Sequence, residues 1–404
     1  MAAKLRLFHR LHLCPALSVV KFLARRQAAK KEIRNLGFLS KCLHMPDQTL
    51  LQPEASAAHF FGKDTAFLLT VFGNGNINDT WKLSVPENGQ TESYLLQRLN
   101  HQVFRQPEQV MVNIQRVASH LAEKKYPQGI LHPLADREGQ TLYRDDAGNY
   151  WRVFPFFERT RTLETVTIPE QAQVASHAFG MFMEALADLD PSSLFETIPD
   201  FHNSVQRLPA FRDAVEKNAV GRLTAVQKEV DFILEESSLF HAIANRNLPL
   251  RAVHNDAKIG NVLFNEAAEK AVAVIDWDTI MPGCLLSDFG DIARTMAASR
   301  SEDEADTDKV FFSMPVFRAI CSGFIPPLRP ILTQAEREVL HLAPRWIILE
   351  QAMRFLGDYL AGDVYYKIRR PLHNLERARN QLALYRSALS QEAALQESVE
   401  AATR

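Results

Sequence analysis

Residues 253–264 read VHNDAKIGNVLF and place His254, Asp256 and Asn261 directly before an apolar run. Polar side chains of this kind usually lie on the protein surface, so their position at the start of a predicted strand needs a chemical reason. A second apolar run, AVAVIDW, follows at residues 271–277 and contains Asp276 near its end. The two runs predict a hairpin that brings polar groups from neighbouring segments together.

Composition indicates a globular chain with a sizeable core. The sequence has 404 residues, 46% of them hydrophobic, and no apolar run long enough to predict a membrane span. Its four cysteines are scattered, without a CxxC pair or a histidine cluster at metal-binding spacing. They are typical of reduced thiols and not of a disulfide framework.

Charge is distributed unevenly along the chain, whose net charge is −2. Residues 1–44 contain ten Lys or Arg residues and one acid, which leaves 36 basic and 47 acidic side chains, a net of −11, in the other 360 residues. That acidic body is expected to repel nucleic acid. The basic segment has three interpretations: an organelle transit peptide, a membrane-surface or interaction arm, or an extension before a true start at Met45.

The segment after the basic extension predicts an antiparallel sheet with one helix. From residue 66, AFLLTVFGNGNINDTWKLSV reads as strand, glycine turn and strand, and SYLLQRLN supplies a third strand. From residue 107, PEQVMVNIQRVASHLAEKK predicts a helix that begins at a proline and has one apolar face: Val110, Ile114, Val117 and Leu121. TLYRDDAGNYWRVFPFFE then predicts a further hairpin.

Helical periodicity dominates after residue 169, and strand patterns return only near 252–253, 262–264 and 271–277. We therefore predict an α+β fold with an N-terminal antiparallel sheet lobe and a larger helical C-terminal lobe. The predicted boundaries are 1–44 for the extension, 45–158 for the first lobe, 159–390 for the second lobe and 391–404 for a C-terminal tail.

The spacing of the polar residues fits phosphoryl transfer from ATP, in which catalysis depends on positioning and charge neutralisation. His254, Asp256 and Asn261 match H-x-D-x-x-x-x-N, the spacing of the protein-kinase catalytic loop. We expect Asp256 to act as the catalytic base, and Asn261 and Asp276 to offer Mg²⁺ the oxygen ligands that it prefers. His254, in the same catalytic loop, is expected to order that loop through hydrogen bonds.

The glycine turn GNGNIND at residues 73–79 is either a nucleotide-binding turn or a plain hairpin turn. In the first case four residues would lay backbone amides over the phosphates: Gly73, Asn74, Gly75 and Asn76. Asp278 is either a metal-site residue or an exposed turn acid. Asp288, in SDFGDIAR, is expected to brace the loop that contains Asp256.

These residues resemble the aminoglycoside phosphotransferase (APH) superfamily of small-molecule kinases, whose loop usually reads H-G-D-x-x-x-x-N followed by I-D. Between residues 60 and 385, several segments are similar to N-acetylhexosamine 1-kinases: GNGNINDTWKL, YLLQRLN, HNDAKIGNVLF, VIDWDTIMPG, DFGDIAR and RFLGDYLAGDVYYKI. The resemblance implies a bilobal, protein-kinase-like fold whose first lobe binds the nucleotide. It also implies ATP- and Mg²⁺-dependent phosphorylation of an N-acetylhexosamine at its anomeric hydroxyl.

The resemblance also implies that a late helical segment lines the sugar pocket. That segment offers Arg354, Asp358 and Tyr365 as contacts to sugar hydroxyls, with the ordinary salt bridges of a helix as the alternative.

The sequence departs from the family pattern at four positions, one of which is Trp277, where many relatives have Phe or Leu. Arg98 stands where protein kinases have a strand lysine, and we expect its planar fork to hold the phosphates. Asn113 is the nearest match to the helix residue that would pair with it. Asn255 replaces the glycine of H-G-D.

Two other functions stay open. A kinase of an amino alcohol or aminoglycoside would be favoured if the acidic run SEDEADTD, residues 301–308, faced the substrate. A catalytically silent kinase-fold binding protein would not need Asp256, Asn261 and Asp276 together. For the sugar kinase we expect ATP and Mg²⁺, no nucleic-acid partner, no membrane span, and a cytoplasmic monomer, or an organellar one if residues 1–44 are a transit peptide.

Overall fold

The computed structural model describes residues 52–73, 77–87 and 89–404. Gln52–Arg404 form one compact unit. The basic extension predicted at 1–44 lies outside the described residues, as do Asn74, Gly75 and Asn76 of the glycine turn. None of the helices in the described part of the chain combines the length and apolar character that crossing a membrane requires.

The N-terminal part is built around five antiparallel strands. They are β1 (Leu68–Val71), β2 (Asp79–Glu87), β3 (Gln90–Leu99), β4 (Tyr143–Arg144) and β5 (Tyr150–Pro155). They lie in the order β1-β2-β3-β5-β4, and every neighbouring pair is antiparallel. The three predicted strands and the predicted later hairpin are therefore confirmed.

Helices cover both faces of this sheet, because side chains alternate between the faces. On one face, Trp81 and Trp151 share a core cluster with helix α1 (Pro53–Phe61). On the other face, Phe154 belongs to the main core together with helix α2 (Pro107–Glu123). The predicted apolar face of α2 is confirmed, since its four residues are buried: Val110, Ile114, Val117 and Leu121.

The C-terminal part is mainly helical. Its described helices are α3 (Pro169–Ala185), α4 (Ser204–Lys217), α5 (Gln227–Glu236), α6 (Ser238–Ala244), α7 (Leu285–Met296), α8 (Met314–Leu328), α9 (Gln334–Val339), α10 (Ala343–Ala361), α11 (His373–Leu389) and α12 (Glu392–Thr403). Helix α12 occupies the segment expected to be a C-terminal tail and buries Leu395 and Val399. The mixed architecture, sheet first and helices after it, is the predicted one.

Helices α3 and α8 cross at two glycines. A β-carbon at Gly180 would lie 2.5 Å from the carbonyl oxygen of Phe324, and one at Gly323 would lie 2.3 Å from the carbonyl oxygen of Gln173. Distances this short are not tolerated between such atoms, so both glycines are required for the backbones to approach.

Short strands carry the polar loops. β6 (Thr160–Arg161), β8 (Val262–Asn265) and β9 (Ala271–Val274) form one small sheet, and β7 (Arg251–Val253) pairs with β10 (Met281–Gly283). The predicted strands near 252, 262 and 271 are confirmed, but β9 ends at Val274, earlier than predicted, because Asp276 adopts a left-handed backbone conformation with φ 63°. β6 and β10 are too short to leave a pattern in the sequence.

Candidate active site

The HND loop, defined as residues 254–261, joins β7 to β8 and is held by the first turn of α7. Asp288 in that turn accepts hydrogen bonds from the backbone N–H of His254 at 2.8 Å and of Asn255 at 2.6 Å. The Asp288 side chain is fully buried, so water cannot replace these two bonds. The predicted bracing role of Asp288 is confirmed.

Asn255 holds the HND loop in an unusual backbone conformation. Its φ is 62°, in the left-handed region that Asn tolerates better than most side-chain-bearing residues. Its amide nitrogen donates to the carbonyl of Thr279 at 3.1 Å, and Ser287 donates to its side-chain oxygen at 3.3 Å. Asparagine thus satisfies a backbone requirement that glycine would also satisfy, and it adds a tether to the segment after Asp276.

His254 is a buried ordering residue. Its Nε2 lies 2.9 Å from the carbonyl oxygen of Ile275, and its Nδ1 accepts the N–H of Asp256 at 3.3 Å. A carbonyl only accepts, so the ring carries its proton on Nε2. Both ring nitrogens are occupied and the edges of Phe179 and Phe182 enclose the ring, which fits loop ordering and leaves no free nitrogen for a base.

Asp256 carries its charge next to a lysine. Its Oδ2 lies 2.6 Å from Nζ of Lys258 and accepts a hydrogen bond from Nδ2 of Asn261 at 3.0 Å. Burial alone would raise the pKa of Asp256, but the charge and hydrogen bond of Lys258, together with His254 and Asn261, outweigh burial and lower the pKa below its ordinary value. The carboxylate is therefore ionised at neutral pH. Sequence reasoning missed Lys258, although D-x-K inside the motif was the available signal.

Asn261 and Asp276 lie at the same end of the β8–β9 hairpin. The backbone N–H of Ile275 donates to the carbonyl of Asn261 at 2.9 Å, which sets the two residues side by side. The amide nitrogen of Asn261 donates to Asp256, and among the described residues its amide oxygen accepts no hydrogen bond. The Asp276 carboxylate also has no hydrogen-bond partner in the described chain.

The charge at Asp276 fits a cation site. Solvent reaches its carboxylate, yet partial burial against the surrounding protein, with the charges of Asp278 and Asp256, raises its pKa to about 7. A cation would relieve this repulsion. The described residues contain no group of three His, Cys, Asp or Glu side chains able to hold a metal by themselves. Two oxygen ligands are what Mg²⁺ uses when phosphates and water complete its shell.

The segment after Asp276 is attached to the N-terminal sheet. Arg152 of β5 and Asp278 form a buried ion pair, with Nη1 2.6 Å from Oδ1 and Nη2 2.9 Å from Oδ2. Asn78, at the end of the glycine turn, donates to Asp278 Oδ2 at 2.7 Å. Asp278 is 3% exposed, which rules out the exposed turn acid that the sequence left open.

The glycine turn is described only at its two ends. Gly73 has φ 73°, and a β-carbon added there would meet no atom within 4 Å. The N–H of Phe72 donates to the carbonyl of Thr80 at 2.9 Å and closes the base of the turn. Gly73 therefore lies beside open space, which fits both a nucleotide-binding turn and a plain hairpin turn.

Arg98 does not lie beside the HND loop. It pairs with Asp79 and donates to Asn149 Oδ1 at 3.2 Å, on the face of the sheet that carries Trp151. Asn113 instead donates to the carbonyls of Phe195 and Ile280 at 2.8 and 2.9 Å. The predicted contact between Arg98 and Asn113 is wrong, because strand alternation turns residue 98 away from α2 and residue 97 toward it.

The late helical residues play different roles from one another. Arg354 of α10 places its guanidinium 5.3 Å from the ring centroid of Phe201, and Tyr365 is 63% exposed. Tyr365 is thus open to solvent, whereas Arg354 is half-buried and also donates to Gln351 at 3.4 Å. Asp358 is not available to a ligand: its carboxylate accepts the N–H groups of residues 364, 365 and 366 and the side-chain amide of Asn374. The expectation that Asp358 contacts a substrate is corrected, since these bonds assign it to holding the loop after α10.

A second buried pair connects α10 with the HND loop, and sequence reasoning missed it. His202 Nδ1 lies 2.9 Å from Oε1 of Glu350, and its Nε2 lies 3.1 Å from the carbonyl oxygen of Asn255. Both partners only accept, so His202 carries both protons. Burial opposes this charge, but Glu350 outweighs burial and raises the pKa of His202 above its ordinary value.

Part of the acidic run at 301–308 is bound by basic side chains. Glu302 pairs with Arg294 at 3.2 Å. Asp303 Oδ1 lies 2.9 Å from Nε2 of His373 and accepts a hydrogen bond from Arg377 at 2.7 Å. These carboxylates are therefore neutralised by their neighbours.

Comparison with known proteins identifies the family. A family model described as the phosphotransferase enzyme family (APH) matches residues 69–317. The chain belongs to this family. It is a small-molecule kinase, and enzymes of this family transfer phosphate to hydroxyl groups, with ATP and Mg²⁺ as cofactors in this kinase fold.

Solved structures show the same fold at low identity. An aminoglycoside phosphotransferase from Alicyclobacillus acidocaldarius is 14% identical, with a TM-score of 0.57 over 89% of this chain and 100% of its own. Spectinomycin phosphotransferase, in complex with ADP and spectinomycin, gives 14% and 0.53 over 89% and 99%. A microcompartment-associated aminopropanol kinase gives 15% and 0.58 over 84% and 97%. The protein-kinase-like fold is therefore as predicted.

Proposed function

We propose that this kinase phosphorylates a free sugar, an N-acetylhexosamine or a close relative, at the anomeric hydroxyl. The motifs similar to N-acetylhexosamine 1-kinases support the sugar. We further propose that residues 45–158 bind the nucleotide and that residues 159–390 supply catalysis and acceptor binding.

The observation that carries the choice of acceptor is the charge around Arg354. The Arg354 guanidinium lies 5.3 Å from the ring centroid of Phe201, and Arg207 donates to the carbonyl of Phe201 at 3.1 Å, so both cations lie beside this residue. Burial and the charge of Arg354 accordingly lower the pKa of Arg207. The doubly protonated His202 adds a third positive charge. Glu350 is the carboxylate that acts on all three groups, and Asp291 acts on His202 as well. This excess of positive charge favours a neutral acceptor and disfavours an ammonium group.

Each residue of the site has a proposed role in the transfer. Asp256 accepts the proton of the acceptor hydroxyl, and its ionised state at neutral pH suits that role. Lys258 offsets charge on the transferred phosphoryl group. Asn261 and Asp276 hold Mg²⁺, which neutralises the phosphates of ATP when it is bound.

The remaining roles concern the two ligands. We propose that backbone amides of Gly73, Asn74, Gly75 and Asn76 cover the phosphates. Arg354 and Tyr365 contact the sugar hydroxyls in this proposal.

An amino-alcohol or aminoglycoside acceptor is the second candidate. The solved structures with this fold include an aminopropanol kinase and an aminoglycoside phosphotransferase. Against it stand the neutralised carboxylates of Glu302 and Asp303, which no longer offer a negative surface to a cationic substrate. A catalytically silent protein is opposed by the joint presence of Asp256, Asn261 and Asp276.

An ATP-consumption assay on one panel separates these candidates. The panel contains N-acetylglucosamine, N-acetylgalactosamine, their parent hexoses, ethanolamine, aminopropanol and spectinomycin, each with MgATP. We expect turnover with an N-acetylhexosamine and none with Asp256→Asn. Turnover with only the cationic acceptors would contradict the proposal. A 1-phosphate product, identified by its loss of reducing-end reactivity, would fix the position of transfer.

A further inference from the structure

In protein kinases a strand lysine and a helix glutamate form an ion pair that joins the sheet to a helix and must be in place for phosphoryl transfer. This chain lacks that pair. Here Arg98 points to the other face of the sheet, and the helix position holds Asn113, which bonds to backbone carbonyls. A different charged pair, Arg152 and Asp278, connects the sheet with the segment that carries Asp276.

Arg152 lies between β3 and the segment that carries Asp276. It is paired across the ladder with Gln97, on the sheet face toward α2, and Gln97 Oε1 accepts from its Nη2 at 2.9 Å. Its other partner is Asp278, two residues after Asp276. Arg152 and Asp278 are 2% and 3% exposed, so this pair has almost no solvent around it. The sheet and the segment that carries Asp276 are thus joined by a bidentate ion pair.

Both carboxylate oxygens of Asp278 take part in these contacts, so we do not assign Asp278 as a metal ligand. Both of its oxygens face Arg152, and Oδ2 also accepts from Asn78. Asn78 in turn accepts the backbone N–H of Asn100 at the end of β3, at 3.0 Å. One small amide therefore connects the glycine turn, β3 and Asp278.

The same segment is also tied to the HND loop. The hydroxyl of Thr279 donates to the carbonyl of His254 at 2.7 Å, and Asn113 of α2 donates to the carbonyl of Ile280. The position of Asp276 is consequently determined from both sides, by the sheet and by the loop that holds Asp256. Without Arg152, the carboxylates of Asp276 and Asp278 would repel one another at close range.

We propose that the Arg152–Asp278 pair is the positioning device of the metal site. It holds Asp276 in place for Mg²⁺, and Asn78 links the glycine turn to the same device. The proposal rests on the assignment of Asp276 as a metal ligand in the proposed function. The competing explanation is an ion pair that only joins the sheet to the helices and has no effect on the metal.

Calorimetric titration with ADP, in the presence and in the absence of Mg²⁺, distinguishes these explanations without any acceptor. The dissociation constant without Mg²⁺, divided by the constant with Mg²⁺, gives the Mg²⁺ ratio. This ratio measures how much Mg²⁺ strengthens ADP binding. We expect Arg152→Lys, which keeps the charge but loses the fork, to reduce this ratio by about tenfold or more. Asn78→Ala removes one hydrogen bond to Asp278 from a half-exposed side chain and should reduce it by about three- to tenfold. The metal-free dissociation constant should change little in Arg152→Lys. Asn78→Ala also releases one end of the glycine turn, so its metal-free binding weakens too, and only the ratio is compared for that variant.

Arg251 provides a matched control. It forms another two-pronged pair with a buried acid, Glu336, at 2.9 Å for both bonds. Arg251→Lys should lower the thermal midpoint as Arg152→Lys does, yet preserve the Mg²⁺ ratio. If Arg152→Lys does not fold, the half-exposed Asn78 variant still decides the question.

Three results would overturn the proposal. The first is an unchanged Mg²⁺ ratio in folded Arg152→Lys or Asn78→Ala. The second is a loss of metal-free ADP binding in Arg152→Lys as large as its loss of ADP binding with Mg²⁺. The third is a fall of the ratio in Arg251→Lys as large as in Arg152→Lys. A wild-type protein whose ADP binding does not respond to Mg²⁺ would instead overturn the metal assignment. Failure of the sugar panel alone leaves the ADP titration intact, so the two failures are distinguishable.

Discussion

Replacing Asp288 by Asn tests the brace under the HND loop. The substitution keeps the shape of the side chain but exchanges one acceptor oxygen for an NH2 donor. Asp288 accepts the N–H groups of His254 and Asn255 with its two oxygens, and it is fully buried. In the variant, one of these N–H groups must face another donor, and no water can reach it.

The magnitude follows from the two bonds. A hydrogen bond to a charged acceptor contributes about 1.5–3 kcal/mol, and a buried donor left without a partner adds a cost. We expect Asp288→Asn to lower the free energy of unfolding by about 2–4 kcal/mol. In a chain of this length that corresponds to a fall in Tm of about 3–6 °C. A loop displaced by about 1 Å would also lower kcat by about 100-fold.

Thermal unfolding and steady-state kinetics with the best acceptor of the panel measure both effects. Asp256→Asn is the matched control, because it removes a carboxylate from the same loop without removing the brace. It should abolish kcat while Tm stays within about 1 °C of the wild type. A wild-type Tm together with a wild-type kcat in Asp288→Asn would refute the bracing argument.

Four other variants probe the site. Asp276→Ala should abolish the Mg²⁺-dependent part of ADP binding, and an unchanged Mg²⁺ titration would count against its role. Lys258→Met should raise the pKa of Asp256, so the acidic limb of kcat shifts to higher pH, whereas Lys258→Arg should keep it in place. The pair of His202 and Glu350 predicts a pH-dependent stability. The pKa of His202 is raised above its ordinary 6.5. Its contribution to stability is therefore complete below pH 6.5 and is lost as the pH rises through the raised pKa. The pKa of Glu350 is lowered from its ordinary 4.5. Its contribution to stability is therefore complete above pH 4.5 and is lost only as the pH falls through the lowered pKa. The Tm gap between wild type and Glu350→Gln should therefore narrow as pH rises above 6.5, and a constant gap would contradict the pairing.

Sequence patterns predicted the parts of this protein that depend on local order. Strands of the first sheet, the buried face of α2 and the hairpin beside Asp256 follow from periodicity and from motif spacing within short windows. The bracing by Asp288 was predictable too, because a polar residue at a helix start near a loop has few other partners.

The remaining features depend on side-chain direction and on distant contacts. Residues 97 and 98 point to opposite faces of β3. The motif match placed Arg98 at the phosphates, but strand alternation directs its side chain to the face away from α2. Arg152 and Asp278 are 126 residues apart in the chain, and His202 and Glu350 are 148 apart. No spacing rule connects such pairs, and only the packed chain brings them together.

The glycine crossing of α3 and α8 has a consequence for how mutations could silence this enzyme. Phe179, the neighbour of Gly180, presses its edge against His254 with ring centroids 5.3 Å apart. A methyl group at Gly180 or Gly323 would force the two helices apart. It would thereby displace Phe179, which packs against His254. An inactive allele can therefore arise at a residue that has no side chain and takes no part in chemistry.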